Sequence, residues 1–188
     1  PALREADNLR RLLPQLRDAL HTLAVSWEVL VIDGDSRDGT AEAVRNAGNG
    51  FRYICESRPG YGQAIVRGVS EAQGTYVLTM DADLSHPAEF IEHLWDARND
   101  ADMIVASRYV SGGKADQPWF RLVLSRILNW FFQVGLSILV RDLTSGFRLY
   151  RKRIFEQLDL HFFNFVILVE ILLKAFGQGR HVKEIPFH

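Results

Sequence analysis

The chain has 188 residues, of which 47% are hydrophobic and 24% are charged, with a single cysteine, Cys55. This length suits one domain with a full hydrophobic core, and the composition excludes a disordered chain, a collagen-like repeat and a disulfide scaffold. One cysteine also excludes an intrachain disulfide and a cysteine-cluster metal site. Its context fits a buried thiol in a reducing compartment.

The net charge of −1 is unevenly distributed along the chain. Residues 1–100 carry 10 Lys and Arg against 16 Asp and Glu, a balance of −6, and residues 101–188 carry 12 against 7, a balance of +5. The acidic part suits metal ions, and the basic part suits phosphates or an anionic membrane surface. Ordinary solvated surface charge explains the same asymmetry equally well.

Helical and strand patterns alternate through the first hundred residues. Leucines at helical spacing from Leu9 to Leu23 predict a first helix. β-rich runs predict strands at residues 27–32, 51–55, 75–80 and 102–107. Further helices are predicted from Asp38, as N-cap, through Val44, at residues 61–73, and from Pro87 to about Arg98.

This β-α-β-α order predicts an α/β fold, a doubly wound, mostly parallel sheet flanked by helices in a single domain. Sheets of this kind bind ligands at the carboxyl ends of their strands. Asp33, Asp81 and Arg108 follow three of the predicted strands directly. The predicted topology therefore nominates these three residues for a functional site.

The pattern changes after Gly112-Gly113. A long aromatic-rich helix is predicted at residues 119–140, a further helix at 165–176 and a last strand at 181–186. No apolar run reaches the roughly 20 residues that span a bilayer, and no signal-peptide pattern opens the chain. Because it lacks an initiator Met and stops just after a predicted strand, we expect the chain to be part of a longer protein.

An aromatic cluster on the predicted long helix is either core or a membrane-facing surface. Its members are Trp119, Phe120, Trp130, Phe131 and Phe132. The neighbouring Arg121, Arg126 and Arg141 favour the interfacial interpretation. The phenylalanines of residues 162–165 pose the same question with weaker support.

The segment Asp81-Ala82-Asp83 follows an apolar predicted strand. Two carboxylates one residue apart at a strand end can share a divalent cation and a diphosphate, and hard oxygen ligands suit Mg²⁺ or Mn²⁺. A metal there would neutralise charge on a departing phosphate. The alternative is a turn in which an aspartate caps the next helix. His86, at a helix start, is interpreted as structural rather than as a metal ligand.

A second acidic segment runs from Asp33 through Asp35 and Asp38 to Thr40. Its carboxylates can hydrogen-bond ribose hydroxyls or base N–H groups, and the alternative is an acidic turn with a helix cap. It resembles a calcium loop, but its glycine falls one position late and the twelfth position is not Glu. It also resembles the motif of aspartate-nucleophile phosphatases, which usually need a lysine near the phosphate, and none precedes Lys114.

Six segments occur in an order typical of one enzyme family. They are residues 1–8, 33–40, 60–64, 80–87, 107–113 and 142–148. Together, over nearly the whole chain, they resemble the family 2 glycosyltransferases of GT-A fold, most specifically the polyprenyl-phosphate (dolichyl-phosphate) mannose synthases. The resemblance implies a Rossmann-like sheet and an inverting, metal-dependent transfer of a hexose. The implied donor is GDP-mannose, and the implied acceptor is a membrane polyprenyl or dolichyl phosphate.

The resemblance also implies roles for individual residues. The nucleotide sugar would be bound by Pro1, Glu5, Ile32, Asp33, Asp35, Asp81, Ala82 and Asp83. Mg²⁺ or Mn²⁺ would be held by Asp81, Asp83 and Ser85. Catalysis would depend on Asp83, Arg108, Arg121 and Arg148. Arg108 would meet the acceptor phosphate, and Arg121 and Arg126 would also face the lipid phosphate. Arg148 and Asp142 would lie near the acceptor side, and Glu170 would face the sugar.

Four features depart from the family pattern. Relatives usually carry Asp-Asp-Gly-Ser where this chain has Asp33-Gly34-Asp35-Ser36, and Tyr-Asn where it has Leu3-Arg4. The family's strand before Pro1 and its basic loop after His188 lie outside this sequence. We therefore expect the chain alone to bind donor poorly or to be inactive.

A polyprenyl phosphate oxygen is anionic at pH 7, so the implied nucleophile needs no strong general base. Catalysis would rest on positioning and charge stabilisation, for which the planar fork of arginine suits phosphate. The alternatives are a UDP-sugar or another acceptor, an aspartate-nucleophile phosphatase, and a non-catalytic nucleotide-binding module. The expected location is cytoplasmic, at the membrane surface or anchored by other segments. Nucleic acid is not an expected partner, because the basic residues form no recognisable module.

Overall fold

The computed structural model describes residues 1–110 and 140–187, in which six strands and five α-helices alternate. The strands are β1 (Val29–Asp33), β2 (Phe51–Cys55), β3 (Tyr76–Thr79), β4 (Met103–Ser107), β5 (Arg148–Arg151) and β6 (Val182–Pro186). The helices are α1 (Ala6–Thr22), α2 (Thr40–Asn46), α3 (Tyr61–Glu71), α4 (Phe90–Asp96) and α5 (Ile167–Gly177). Two 3-10 helices cover Ala97–Asn99 and Lys152–Gln157.

These elements confirm the strands and helices predicted up to residue 107, with ends that differ from the prediction by at most three residues. The N-cap of α2 is Gly39, with φ of 96°, rather than Asp38. Asp38 still contributes, because its carboxylate accepts the N–H of Thr40 and that of Ala6, the first residue of α1. One side chain therefore ties the starts of two helices together.

The strands form two sheets, and their order differs from that of a simple parallel sheet. β1 and β2 pair in parallel, and the second sheet has the order β3-β5-β4-β6. β5 is antiparallel to both neighbours, whereas β4 and β6 are parallel. The α/β class is confirmed, but the sheet is mixed. β5 was missed because its sequence, Arg-Leu-Tyr-Arg, is short and begins and ends with a charged residue.

Helices cover both faces of the sheet, as a doubly wound fold requires. Along β4, Ile104 and Ala106 belong to a core cluster with α1 and α4, whereas Met103 and Val105 belong to a cluster with α3 and α5. This alternation follows from the two-residue period of a strand. A strand buried on both faces reads as a continuous apolar run, which is why β4 was predictable.

The leucines of α1 form much of the first cluster. Leu9, Leu12, Leu13 and Leu16 are almost fully buried, each contributing about 1.5–3 kcal/mol relative to an exposed side chain. Among residues 1–110 and 140–187, no helix has the length and apolar character to cross a membrane. The predicted helix at 119–140, with its aromatic cluster, lies almost wholly outside the described residues.

Cys55 is exposed, so the prediction of a buried thiol was wrong. It is the last residue of β2, which pairs with β1 alone among the described strands, and edge positions of this kind stay open to solvent.

Candidate active site

The ends of β1, β3 and β4 meet at one edge of the fold. Four of the predicted nucleotide residues, Pro1, Ile32, Asp81 and Ala82, are among the residues that line a long, mostly apolar cavity between β1 and β3. The charge of Asp81 also acts on the Pro1 amine, which places the start of the chain beside the end of β3. The structure therefore brings together residues that are up to 81 positions apart in the sequence.

Asp33, at the end of β1, is fully buried and already has three hydrogen-bond donors. Its carboxylate accepts the hydroxyl and the backbone N–H of Ser36, at 2.6 and 2.8 Å, and the hydroxyl of Tyr53 at 2.9 Å. Burial, together with the Asp33 carboxylate, raises the pKa of Tyr53. Asp33 thus shapes the turn, and Asp35, with φ of 64°, exposes its carboxylate to solvent.

Glu5 is half-buried at the N-terminus of α1, where its carboxylate accepts the side-chain amide of Asn8 at 2.6 Å. The preceding residue, Arg4, lies against the Asp33 turn, because its N–H donates to the hydroxyl of Ser36 at 2.7 Å. Glu5 is therefore attached to the same edge through the backbone.

Asp81 and Asp83 occupy a tight turn after β3. Leu84 has φ of 65°, and the Asp83 carboxylate accepts the N–H of Ser85 at 3.0 Å. Partial burial opposes the charge of Asp83, but the hydrogen bonds from Ser85 outweigh it and lower the pKa of Asp83. Asp83 and Ser85 are both exposed. The turn therefore presents the carboxylate of Asp83 and the hydroxyl of Ser85 to solvent.

These oxygens fit a hard divalent cation by their chemistry. Among residues 1–110 and 140–187, no three His, Cys, Asp or Glu side chains are grouped as a metal site. A cation bound at Asp81 and Asp83 would therefore take most of its ligands from water or from a bound diphosphate, as Mg²⁺ commonly does.

The segment 142–148 packs against Asp81. The hydroxyl of Thr79 donates to the carbonyl of Gly146 at 2.7 Å. A side chain at Gly146 would lie 3.4 Å from an Asp81 oxygen and 2.6 Å from the hydroxyl of Tyr61. Burial first, and then the Asp81 charge, raises the pKa of Tyr61. Glycine is required here because two segments meet too closely for a Cβ atom.

His86 stabilises the Asp81 turn from the core side. It is buried, its Nδ1 accepts the N–H of Asp81 at 3.0 Å, and its ring stacks on Phe147 with 4.7 Å between centroids. Burial lowers the pKa of His86, although the charges of Asp81 and Asp83 oppose this shift. The structural interpretation of His86 is what this geometry favours.

The buried, neutral His86 makes stability depend on pH. Its folded pKa lies below the ordinary 6.5, so as the pH falls below that value the unfolded chain binds a proton that the folded chain does not. We expect stability to decrease between pH 7 and 5, with His86 contributing at most about 1.4 kcal/mol per pH unit. His86→Asn keeps an acceptor for the N–H of Asp81 and should flatten the slope of the urea midpoint against pH.

His93→Asn, on the exposed face of α4, is the control and should leave that slope unchanged. Equal slopes in the two variants would contradict a role for His86 in the pH dependence.

Arg108, directly after β4, forms a bidentate ion pair with Asp142. Its Nε and Nη2 donate to the two carboxylate oxygens at 2.9 and 3.1 Å. Asp142 is fully buried and also accepts the N–H of Ser145 at 3.0 Å. Burial opposes the charge, but Asp142 raises the pKa of Arg108 above its ordinary value. The pair therefore fixes a partly exposed cation beside the Asp81 turn.

Arg148, which the resemblance places near the acceptor side, has its side chain inside the fold. It is fully buried at the start of β5, and its two terminal nitrogens donate to the carbonyls of Leu168 and Leu143, each at 2.7 Å. It connects α5 to the segment 142–148. This placement favours a positioning role over direct contact with a phosphate.

Glu170, on α5, orders the segment 161–166. Its buried carboxylate accepts the backbone N–H groups of His161 and Phe162, at 2.8 and 2.9 Å, and contacts Lys174 at 2.7 Å. These hydrogen bonds lower the pKa of Glu170 although burial opposes them. Its carboxylate is therefore committed to the loop.

The ordered segment lies on the start of α3. The N–H of Gly62 donates to the carbonyl of Phe163 at 2.9 Å, and a side chain at Gly62 would lie 2.6 Å from the same carbonyl carbon. Phe165 stacks on Tyr61 with 4.3 Å between centroids. Nevertheless Phe162, Phe163 and Phe165 expose 49%, 42% and 68% of their surfaces. An apolar surface therefore adjoins Tyr61, whose hydroxyl faces Asp81.

Arg121 and Arg126 lie outside the described residues. His86, Tyr61 and Gly146 were not among the predicted site residues. Each of the three lies in one of the motif segments 60–64, 80–87 and 142–148, but nothing in its residue type indicates contact with Asp81.

A model of one protein family, described as Glycosyl transferase family 2, matches residues 1–159. The chain belongs to this family. Membership confirms the resemblance that the six segments indicated, and with it the assignment to the glycosyltransferases. It also agrees with the confirmed α/β class, because the family was expected to have the GT-A fold.

Curated relatives of this family 2 glycosyltransferase align along its whole length. The dolichol-phosphate mannosyltransferase of Pyrococcus furiosus is 35% identical over 100% of this chain and 54% of its own length. The polyprenol monophosphomannose synthase of Mycolicibacterium smegmatis is 33% identical over 95% of this chain and 72% of its own. The chain thus spans about half the length of the first of these relatives.

Solved structures share the fold at low identity. Mannosyl-3-phosphoglycerate synthase from Rubrobacter xylanophilus superposes with a TM-score of 0.73 and 19% identity, over 99% of this chain and 63% of that one. Glucosyl-3-phosphoglycerate synthase from Mycobacterium tuberculosis gives 0.76 and 18%, over 100% and 68%. These neighbours establish the architecture.

Proposed function

We propose that this chain is the catalytic core of an inverting, metal-dependent transferase that moves a hexose from a nucleotide sugar to a polyprenyl phosphate. The observation that carries the proposal is the juxtaposition of the Asp81–Asp83 turn with the Arg108–Asp142 pair. At this edge of the sheet, the carboxylates of Asp81 and Asp83 can bind a cation, and the guanidinium of Arg108 can bind an anion. The names of the curated relatives support mannose as the sugar and dolichyl or polyprenyl phosphate as the acceptor.

The donor side would be formed by the Asp33 turn and the Asp81 turn. Asp35 presents a solvent-facing carboxylate for the nucleoside, whereas Asp33 holds the turn in place. Asp81 and Asp83, with Ser85 beside them, would hold Mg²⁺ or Mn²⁺, which when bound neutralises the departing diphosphate. Glucosyl-3-phosphoglycerate synthase from M. tuberculosis, of the same fold, is described in complex with Mn²⁺ and uridine diphosphate.

The acceptor side would be centred on Arg108. A phosphate oxygen of the acceptor attacks the anomeric carbon and forms the new C–O bond while the bond to the diphosphate oxygen breaks, so the configuration inverts. The attacking oxygen is already anionic, so no proton needs to be removed. Arg108 would orient that phosphate, and Asp142 keeps the guanidinium in one orientation.

The exposed phenylalanines of residues 162–165 suit the lipid part of the acceptor. Phe165 stacks on Tyr61, so this apolar surface leads directly toward Asp81. A peripheral position at the cytoplasmic membrane face would place isoprenoid units along this surface and the phosphate at Arg108.

The test is a transfer assay with the full-length parent protein in detergent, with Mg²⁺ or Mn²⁺ and a polyprenyl phosphate. Labelled GDP-mannose and UDP-glucose are offered in parallel, and label is measured in the lipid phase. We expect metal-dependent label from GDP-mannose. Label from UDP-glucose alone would overturn the sugar and retain the mechanism. Bound donor with no lipid label would overturn the acceptor or the catalytic role.

The Arg108→Lys variant should raise the acceptor KM about tenfold to a hundredfold. Lysine cannot form the two-pronged pair with Asp142 that orients the guanidinium toward the acceptor phosphate, and a hydrogen bond between charged groups is worth about 1.5–3 kcal/mol. Lysine keeps a positive charge beside the buried Asp142, so the fold should be retained. Donor affinity should not change. Arg153→Lys, in a surface ion pair with Asp102, is the matched control. A loss of donor binding alone in Arg108→Lys would show that Arg108 does not serve the acceptor.

A further inference from the structure

The middle of β6 carries a carboxylate that is bonded to the backbone of a distant segment. Glu184 is half-buried, and its two oxygens accept the N–H groups of Arg141 and Asp142, both at 2.8 Å. These contacts join residues that are 43 and 42 positions apart in the sequence. One carboxylate therefore holds two consecutive peptide groups of the segment that enters the site.

The pleat of β6 directs Glu184 toward this segment. Val182 packs against the core cluster of α3 and α5, and Ile185 packs against the cluster of α1 and α4. Strand residues alternate between the two faces, so Glu184 lies on the same face as Val182. Leu143, the residue after Asp142, is buried in that same cluster. The carboxylate and the Asp142 backbone therefore meet on one side of the sheet.

The chemistry of glutamate fits this double contact. An ionised carboxylate only accepts hydrogen bonds, so each of its oxygens can take one of two neighbouring N–H groups. Hydrogen bonds to a charged acceptor are also stronger than those between neutral groups. A glutamine would turn an amide NH₂ toward one of the two N–H groups, and two donors would then face each other. Glutamate is depleted in strands, so the contact explains this residue better than strand propensity does.

The backbone that Glu184 holds belongs to the residue that orients Arg108. The buried carboxylate of Asp142 accepts the Nε and Nη2 groups of Arg108 at 2.9 and 3.1 Å, and it also accepts the Arg108 backbone N–H at 3.2 Å. Because the pair is bidentate, a displacement of the Asp142 backbone would turn the guanidinium as well. Glu184 is therefore linked to Arg108 through Asp142.

β6 also supports the other partner of this ion pair. β4 and β6 pair in parallel up to Ser107, which directly precedes Arg108. The N–H of Phe187 donates to the carbonyl of Ser107 at 2.9 Å. One strand thus holds the backbone beside Arg108 with its main chain, and it holds the backbone of Asp142 with the side chain of Glu184.

We propose that Glu184 is a positioning residue of the acceptor site, because it fixes Asp142 and, through Asp142, the direction of the Arg108 guanidinium. The inference rests on the proposed function for the identity of the anion, an acceptor phosphate, whereas the link from Glu184 to Arg108 stands on the contacts alone. The Asp81 turn has its own support in His86. Loss of the Glu184 carboxylate should therefore weaken acceptor binding and leave donor binding unchanged.

The first test is the Glu184→Gln variant of the full-length protein in detergent. It should raise the acceptor KM about threefold to tenfold, the effect of one lost hydrogen bond, with donor affinity by calorimetry unchanged. Glu156→Gln makes the same change of charge on the exposed 3-10 helix Lys152–Gln157 and should alter neither quantity. Equal losses of donor and acceptor binding, or a variant that no longer folds, would assign Glu184 to general stability and overturn the proposal.

A double variant tests whether Glu184 acts through Arg108. If it does, Glu184→Gln combined with Arg108→Lys should have the acceptor KM of Arg108→Lys alone, because the guanidinium that Glu184 directs is already absent. An acceptor KM raised by the product of the two single effects would show that the two residues act independently. That result would overturn the proposed link.

A third measurement needs no acceptor and follows the exchange of the Arg108 Nε proton with water by NMR in arginine-labelled protein. The signal is assigned by its loss in Arg108→Lys. Exchange should become about threefold to tenfold faster in Glu184→Gln and should not change in Glu156→Gln. Unchanged exchange in folded Glu184→Gln would overturn the proposal. Faster exchange in a protein that transfers no sugar would support the link and refute the proposed function, so the two failures are distinguishable.

Discussion

The Asp83→Asn variant is expected to lose metal-dependent donor binding and to lower transfer by about a hundredfold or more. Asparagine removes one of the two charges available to a divalent cation, and metal stabilisation of a departing phosphate is worth several kcal/mol. The substitution is nearly isosteric, and its carbonyl oxygen can still accept the N–H of Ser85, so the turn should persist. The loss would therefore report on the cation and not on folding.

Donor affinity should be measured by calorimetry in the full-length protein, with Mn²⁺ and then with EDTA. Asp7→Asn is the matched control, since Asp7 lies on α1 with 96% of its side chain exposed. The wild type and this control should lose affinity on chelation, and Asp83→Asn should be weak in both conditions. Full Mn²⁺-dependent affinity in Asp83→Asn would refute the metal assignment.

The Arg148→Leu variant is expected to destabilise the fold by about 3–5 kcal/mol, because two charge-assisted hydrogen bonds are lost together. The carbonyls of Leu143 and Leu168 would be left in the core without their donors, and such groups are costly to bury. The urea midpoint should fall with little change in m-value. Arg153→Leu, at the surface, should have little effect by comparison.

The Arg148→Lys variant separates positioning from direct catalysis. Lysine can reach one carbonyl but not both, so a positioning role predicts an intermediate loss of stability and a proportionate loss of activity. Wild-type stability with abolished transfer would instead support the catalytic role that the resemblance implied. An Arg148→Leu variant as stable as the wild type would show that the two carbonyls find other donors.

The order of the elements and the strand-end positions of Asp33, Asp81 and Arg108 followed from the sequence alone. They were predictable because hydrophobic periodicity and turn residues act over short stretches of chain. The turn chemistry of Asp81-Ala82-Asp83 was predictable for the same reason. The prediction of a site at this edge needed only the rule that parallel strands end together.

Tertiary structure alone decided what each of those groups does. Arg108 meets Asp142 across 34 residues, and Asp33 receives the hydroxyl of Tyr53 across 20. Arg148 is buried and donates to the carbonyl of Leu168, 20 residues away. The antiparallel β5 had no local signal, because a short strand ending in charged residues is stabilised by its two neighbours. Exposure and hydrogen-bond partners depend on which distant segments pack together, and local periodicity carries no information about that.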